Sequence, residues 1–114
     1  MLLSFVHPLF FFLGPNAAPF NVRGQTSSST SIFVQWSNVP AADQNGVILN
    51  YTVTYKALPA GSQQTKVVSA PTTHATLTYL NEYTNYSITV FASTIKGDGN
   101  LSEPIVVITD EDSK

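Results

Sequence analysis

Apolar and polar residues alternate one for one along several separate stretches of this chain. In SIFVQW, Ile32, Val34 and Trp36 fall on one side while Phe33 and Gln35 fall on the other. In NYTVTYK, Tyr51, Val53 and Tyr55 oppose Asn50, Thr52, Thr54 and Lys56. Ala75 and Leu77 alternate with Thr76 and Thr78, and Tyr86, Ile88, Val90 and Ala92 with Ser87, Thr89, Phe91 and Ser93. Successive side chains of an extended strand point to opposite faces, so a period of two marks strands with one face buried. From Ala17 onward no stretch carries apolar residues at helical spacing with caps. The class this predicts is all-β.

Weaker signals complete the set. A short strand is expected around Phe20 and Val22, another from Thr65 to Val68 between Gly61 and Pro71, and a last one from Ile105 to Thr109 after Pro104. Pro40 and Asn45-Gly46, Pro59 and Gly61, and Gly97 and Gly99 punctuate the connections. Seven antiparallel strands in one sandwich need about 100 residues, and the chain has 114. The last strand is ambiguous in register because Ile105 to Ile108 are all apolar, and a one-residue slip would exchange its faces. No internal repeat is visible, so one module is expected.

Residues 1–17 stand apart as an apolar leader. Met1 to Leu13 read MLLSFVHPLFFFL, shorter than the stretch of about 20 apolar residues that spans a bilayer. The length suits the core of a signal peptide, yet no Lys or Arg precedes it. Cleavage after Ala17 would set Pro15, and cleavage after Ala18 Asn16, where a small residue is preferred. An atypical signal sequence and a leader from a truncated or mis-started reading frame both stay open. Residues 18–109 form the expected domain, and 110–114, with Asp110, Glu111 and Asp112, an acidic tail or linker.

The composition argues against several function classes. Arg23, Lys56, Lys66, Lys96 and Lys114 are scattered, which gives nucleic acid no clustered cations to bind. Without cysteine the chain offers no thiol nucleophile, zinc cluster or disulfide scaffold. The histidines are His7, in the leader, and His74, at the start of a predicted strand, and neither has the partners a catalytic triad requires. No phosphate-binding glycine loop or calcium-loop pattern occurs, so no enzyme, metal or cofactor is expected. Three N-x-[ST] sequons are present: Asn50-Tyr51-Thr52, Asn85-Tyr86-Ser87 and Asn100-Leu101-Ser102. With Tyr51 and Tyr86 inward, alternation turns Asn50 and Asn85 outward, and Asn100 falls in a loop.

In order and spacing these residues resemble the fibronectin type III family across Ala18 to Thr109. Trp36 ends the second strand, Tyr51, Val53 and Tyr55 match a Y-x-V-x-Y third strand, and Leu80 precedes Tyr86 by six residues. The resemblance implies an immunoglobulin-like β-sandwich of seven antiparallel strands. Its core would hold Trp36, Tyr51, Val53, Tyr55, Leu77, Leu80, Tyr86, Ile88 and Val90, with Tyr86 as a tyrosine corner. APFNV at the start and NG before the third strand look most like modules of metazoan adhesion receptors and receptor-type tyrosine phosphatases. The implied function is an extracellular, non-catalytic module that binds other proteins or spaces neighbouring domains. Lys96-Gly97-Asp98 resembles the Arg-Gly-Asp that some such modules show to integrins, although a Gly-x-Gly turn, common at this place in the family, is the favoured explanation. Phe33 and Phe91, turned away from the core, could contact a neighbouring module. Two other settings of the same fold remain: an intracellular scaffold, and an accessory module of a secreted glycoside hydrolase. The cytokine-receptor kind of ligand binding is weakened by the lack of a W-S-x-W-S sequence.

Overall fold

The computed structural model describes residues 14–112. The apolar run Met1 to Leu13, with His7 and its phenylalanines, lies outside the described residues. The strands are β1 (Phe20–Ser28), β2 (Ser31–Ser37), β3 (Asn50–Ala57), β4 (Gln64–Ser69), β5 (His74–Leu77), β6 (Asn85–Thr94), β7 (Gly97–Asp98) and β8 (Ile105–Ile108). One turn of 3₁₀ helix, Ala41–Asp43, interrupts the β2–β3 connection. Seven principal strands are therefore joined by β7, a two-residue ribbon that pairs with the end of β6.

All pairing is antiparallel within two sheets. One has the order β1-β2-β5; the other runs β4-β3-β6-β7, with β8 also paired to β6. The alternation read from the sequence sets which residues meet between them. Ile32, Val34, Ala75 and Leu77 face inward from the first sheet, and Tyr51, Val53, Tyr55, Ile88, Val90 and Ala92 from the second, all buried. Trp36, 3% exposed, sits with its ring 5.4 Å from that of Tyr51. Each aliphatic side chain taken from water contributes about 1.5–3 kcal/mol, so this cluster is what holds the two layers together.

Tyr86 closes one end of the sandwich. Its ring is buried and its hydroxyl accepts the Asn81 N–H at 2.7 Å. The Asn81 carbonyl accepts from the Thr109 hydroxyl at 2.7 Å, and the Thr109 oxygen in turn accepts the Thr84 N–H at 2.9 Å. Leu80 is buried beside this corner, while Tyr79 and Tyr83, both at positive φ, stay exposed.

The structure departs from the sequence reading in four places. β1 is nine residues long instead of short, and Gly24 lies on its inner side, where a Cβ would sit 2.9 Å from Val107 Cγ2. Two register shifts and a positive φ at Asn21 let this polar strand follow β2. Thr52 and Thr54 lie on the outward side of β3 as expected, yet both are buried, since β3 runs between β4 and β6. β8 ends at Ile108 and its register is settled: Ile105 and Val107 pack on the core, whereas Val106 and Ile108 are exposed. Gly14 to Ala17, assigned to the leader from sequence, lie on the domain, with Gly14 and Pro15 buried.

Candidate interaction surface

Three connections gather at one end of the sandwich: β2–β3, β4–β5 and β6–β7. The first is held from both sides. The Gln44 side chain donates to the Val39 carbonyl at 2.9 Å, and the Leu49 N–H to the Ser93 carbonyl at 2.8 Å. The N-terminal segment adds three ties: Asn16 N–H to the Asp43 carbonyl at 2.8 Å, Asn45 Nδ2 to the Gly14 carbonyl at 3.0 Å, and Asn100 Nδ2 to the Asn16 carbonyl at 2.7 Å. Asn45 and Gly46 both take positive φ, the conformation that an Asn-Gly pair accepts most readily. A loop pinned in this way presents side chains at a low entropic cost of binding.

What it presents is aliphatic. Val47 is 76% exposed, Leu49 48% and Ile95 89%. A Cβ added to Gly46 would touch Thr94 Cγ2 at 3.8 Å, so the turns that carry Val47 and Ile95 lie side by side at this end. The sequence reading passed over these residues. The signal was there: Val47 follows Asn-Gly and Ile95 precedes Lys-Gly, aliphatic side chains placed inside turns that normally carry polar ones.

Lys96, Gly97 and Asp98 lie on the adjoining hairpin. Thr94 pairs with Gly97 and Ser93 with Asp98, which leaves Ile95 and Lys96 at the apex. Gly97 takes a φ of 145°, a value that favours glycine. The Asp98 carboxylate accepts the Ser93 hydroxyl at 2.7 Å and the Lys96 N–H bonds to Thr94 Oγ1. The lysine and the aspartate are exposed, but the aspartate is tied to the strand instead of standing at the tip.

The other candidates are dispersed. Asn85 and Asn100 are exposed and Asn50 is half-buried, at the two ends of the second sheet and in a loop. Phe33 lies on β2 in one sheet, its ring 5.6 Å from that of His74, while Phe91 lies on β6 in the other. Both are half-buried, and they form no shared platform. Phe91 lines a groove of 420 Å³ on the outer face with Thr54, Lys56, Ser87, Thr89 and Leu101. Asp110, Glu111 and Asp112 are exposed at the opposite end from Ile95. Among the described residues no three acidic, histidine or cysteine side chains gather as a metal site. No helix among them is long and apolar enough to cross a membrane.

Two buried phenols border this scaffold. The Tyr51 hydroxyl donates to Asn38 Oδ1 at 2.5 Å, and burial raises its pKa. Burial also raises that of Tyr55, with a further push from Tyr86.

Comparison with known proteins gives a consistent result. Residues 17–108 match the model of the fibronectin type III domain. The chain is 38% identical over 95 residues to protein sidekick-2 of Mus musculus, covering 82% of this chain and 4% of that protein. It is 38% identical over 102 residues to the cell adhesion molecule Dscam2 of Drosophila melanogaster, covering 86% of this chain and 5% of that one. To the phosphatidylinositol phosphatase PTPRQ of Rattus norvegicus it is 34% identical over 99 residues, or 87% and 4% of the two chains. The chain thus spans about a twentieth of these relatives. Among solved structures, the fn3 domain of human contactin 1 superposes with a TM-score of 0.79 at 27% identity, covering 90% of this chain and 84% of that one. The FN5 domain of Drosophila Lar gives 0.69 at 32%, covering 84% and 97%.

Proposed function

The chain belongs to the fibronectin type III family, and from that membership we propose that it is a non-catalytic extracellular module through which an adhesion or receptor-type protein binds other proteins. Its relatives include a protein named as a cell adhesion molecule. The observation that carries the reading is the aliphatic rim of Val47, Leu49 and Ile95 on loops tied to the strands and to the N-terminal segment. Desolvating three aliphatic side chains on a rigid frame favours a protein surface of matching shape. Where a partner leaves the rim free, the same sandwich acts as a spacer between neighbouring domains. An integrin that reads Lys96 and Asp98 would have to draw the aspartate away from Ser93, so the rim is the stronger candidate.

The test uses the full chain, made as an oligomer and applied to intact metazoan cells. Surface binding should disappear when the cells are first treated with protease, and should fall at least tenfold in the double variant V47D/I95D. D98A should leave it within twofold. Binding that survives V47D/I95D, with the variant melting at the parent temperature, would refute the rim as the contact. Loss in D98A alone would move the site from the rim to Lys96 and Asp98.

A further inference from the structure

We infer that Asn85 is an N-glycosylation site whose proximal sugars cover the bare apolar edge strand β8. The inference rests on the extracellular reading above. Asn85 opens β6, is exposed, and begins the sequon Asn85-Tyr86-Ser87. Tyr86 is buried, which turns Asn85 and Ser87 to the outer face together. On that face Asn85 pairs with Ile108 and Ser87 with Val106. Directly opposed residues of an antiparallel pair bring their Cβ atoms to about 4.5–5.5 Å. A sugar on Asn85 Nδ2 therefore begins next to Ile108, 42% exposed, and one sugar's length from Val106, 58% exposed.

β8 is an apolar edge with no protection of its own. Its four residues, Ile105 to Ile108, are all apolar and β-branched, and among the described residues β8 pairs only with β6. A free edge of this kind is a template for pairing with another chain. Natural sheets block their edges with charges or irregularities. β4 carries Lys66, and β1 carries Arg23 and two register shifts. β8 has no charge within it. The apolar face of an N-acetylglucosamine ring laid on Val106 and Ile108 would hide the exposed pair, and its bulk would keep a second strand away.

The other sequons are poorer hosts. Asn50 is half-buried on the central strand β3, flanked by its partners Ser69 and Ser93. Asn100 already spends Nδ2 on the Asn16 carbonyl, and the Ser102 hydroxyl of that sequon is buried, accepting the Val90 N–H at 2.9 Å.

The transfer is a substitution without redox change. Asn85 Nδ2 attacks C1 of the first sugar of a lipid-diphosphate-linked oligosaccharide; the C1–O bond to the diphosphate breaks as the C1–N bond forms. Nδ2 loses one proton, and the lipid diphosphate departs with the bonding pair.

To test this, the full chain is secreted from animal cells behind an added signal sequence. The product is mapped by mass spectrometry after digestion with an amidase that converts glycosylated Asn to Asp. Asn85 should be read as Asp; N85Q and S87A should lose the modification, and S87T should keep it. N85Q should also self-associate at concentrations where the parent is monomeric by light scattering, with V106K restoring the monomer. An unmodified Asn85 on secreted, folded chain would overturn the site, and sugars confined to Asn50 or Asn100 would do the same. An occupied Asn85 whose N85Q variant stays monomeric would overturn the covering role. The added signal delivers the chain to the secretory lumen whatever its natural address, so neither failure touches the extracellular reading. That reading fails separately, if cell-impermeant labelling of cells making the natural protein leaves this module unlabelled.

Discussion

Removing one oxygen from Tyr86 tests the corner that closes the sandwich. In Tyr86→Phe the buried ring stays and only the acceptor of the Asn81 N–H, at 2.7 Å, is lost. A partly buried donor left without a partner costs about 1–3 kcal/mol. For a domain of this size ~1 kcal/mol lowers Tm by about 4–8 °C, so a loss near 2 kcal/mol should read as roughly 8–16 °C. The dependence on denaturant concentration should keep its slope, because no surface is newly exposed in the folded state. Thr109→Val attacks the same residue from its other side, removing the donor to the Asn81 carbonyl and the acceptor of the Thr84 N–H. Since both changes converge on Asn81, the double variant should be non-additive by about 0.5–3 kcal/mol in a cycle of urea unfolding. A Tyr86→Phe loss below about 0.5 kcal/mol, the range of ordinary surface changes, would show that the hydroxyl is solvated and refute the reasoning.

Two further outcomes follow from packing and burial. Gly24→Ala puts a methyl 2.9 Å from Val107 Cγ2 and 3.3 Å from Ile105 Cδ1; it should cost about 1–3 kcal/mol in chemical unfolding, and Val107→Ala should recover part of that loss. Full stability in Gly24→Ala would mean β1 does not press on β8. Burial holds the Tyr51 and Tyr55 pKa values above the usual 10.0. The unfolded chain ionises first, so the stability these phenols contribute is fully present below pH 10 and is lost as pH rises through their folded values. Urea midpoints should be level on approach to that pH and fall beyond it, and Tyr51→Phe should flatten the fall; a parent midpoint unchanged across the range would contradict the assignment.

The parts of this fold that were legible are those where one strand's own pattern decides the outcome. Val53 and Val90 alternate with polar neighbours because each strand has one wet side, and that information is local. Tyr86 could be placed because its spacing from Leu80 belongs to one loop. β1 fails the same test for a physical reason. Its inner positions are Val22, Gly24 and Thr26, all half-buried, and Gly24 earns its place only through the approach of β8, more than eighty residues on. The outward burial of Thr52 and Thr54 likewise depends on strands β4 and β6 on either side, not on β3 itself.

The candidate surface was less legible than the core, and the N-terminal segment shows why. Gly14 and Asn16 looked like the end of a leader, since nothing adjacent in sequence calls for them. Their reason lies in Asn45, Asp43 and Asn100, which hold the segment from two loops. Those hydrogen bonds also fix the connection that carries Val47. A polar residue in a loop can be read as a turn former, but an aliphatic one there has a meaning only once the loop is known to be rigid. Those bonds hold the connection that carries Val47, strand pairing holds the hairpin that carries Ile95, and both side chains are exposed. The ties to Gly14 and Asn16 and the exposure of Val47 therefore belong to one connection, and the proposed contact draws on both.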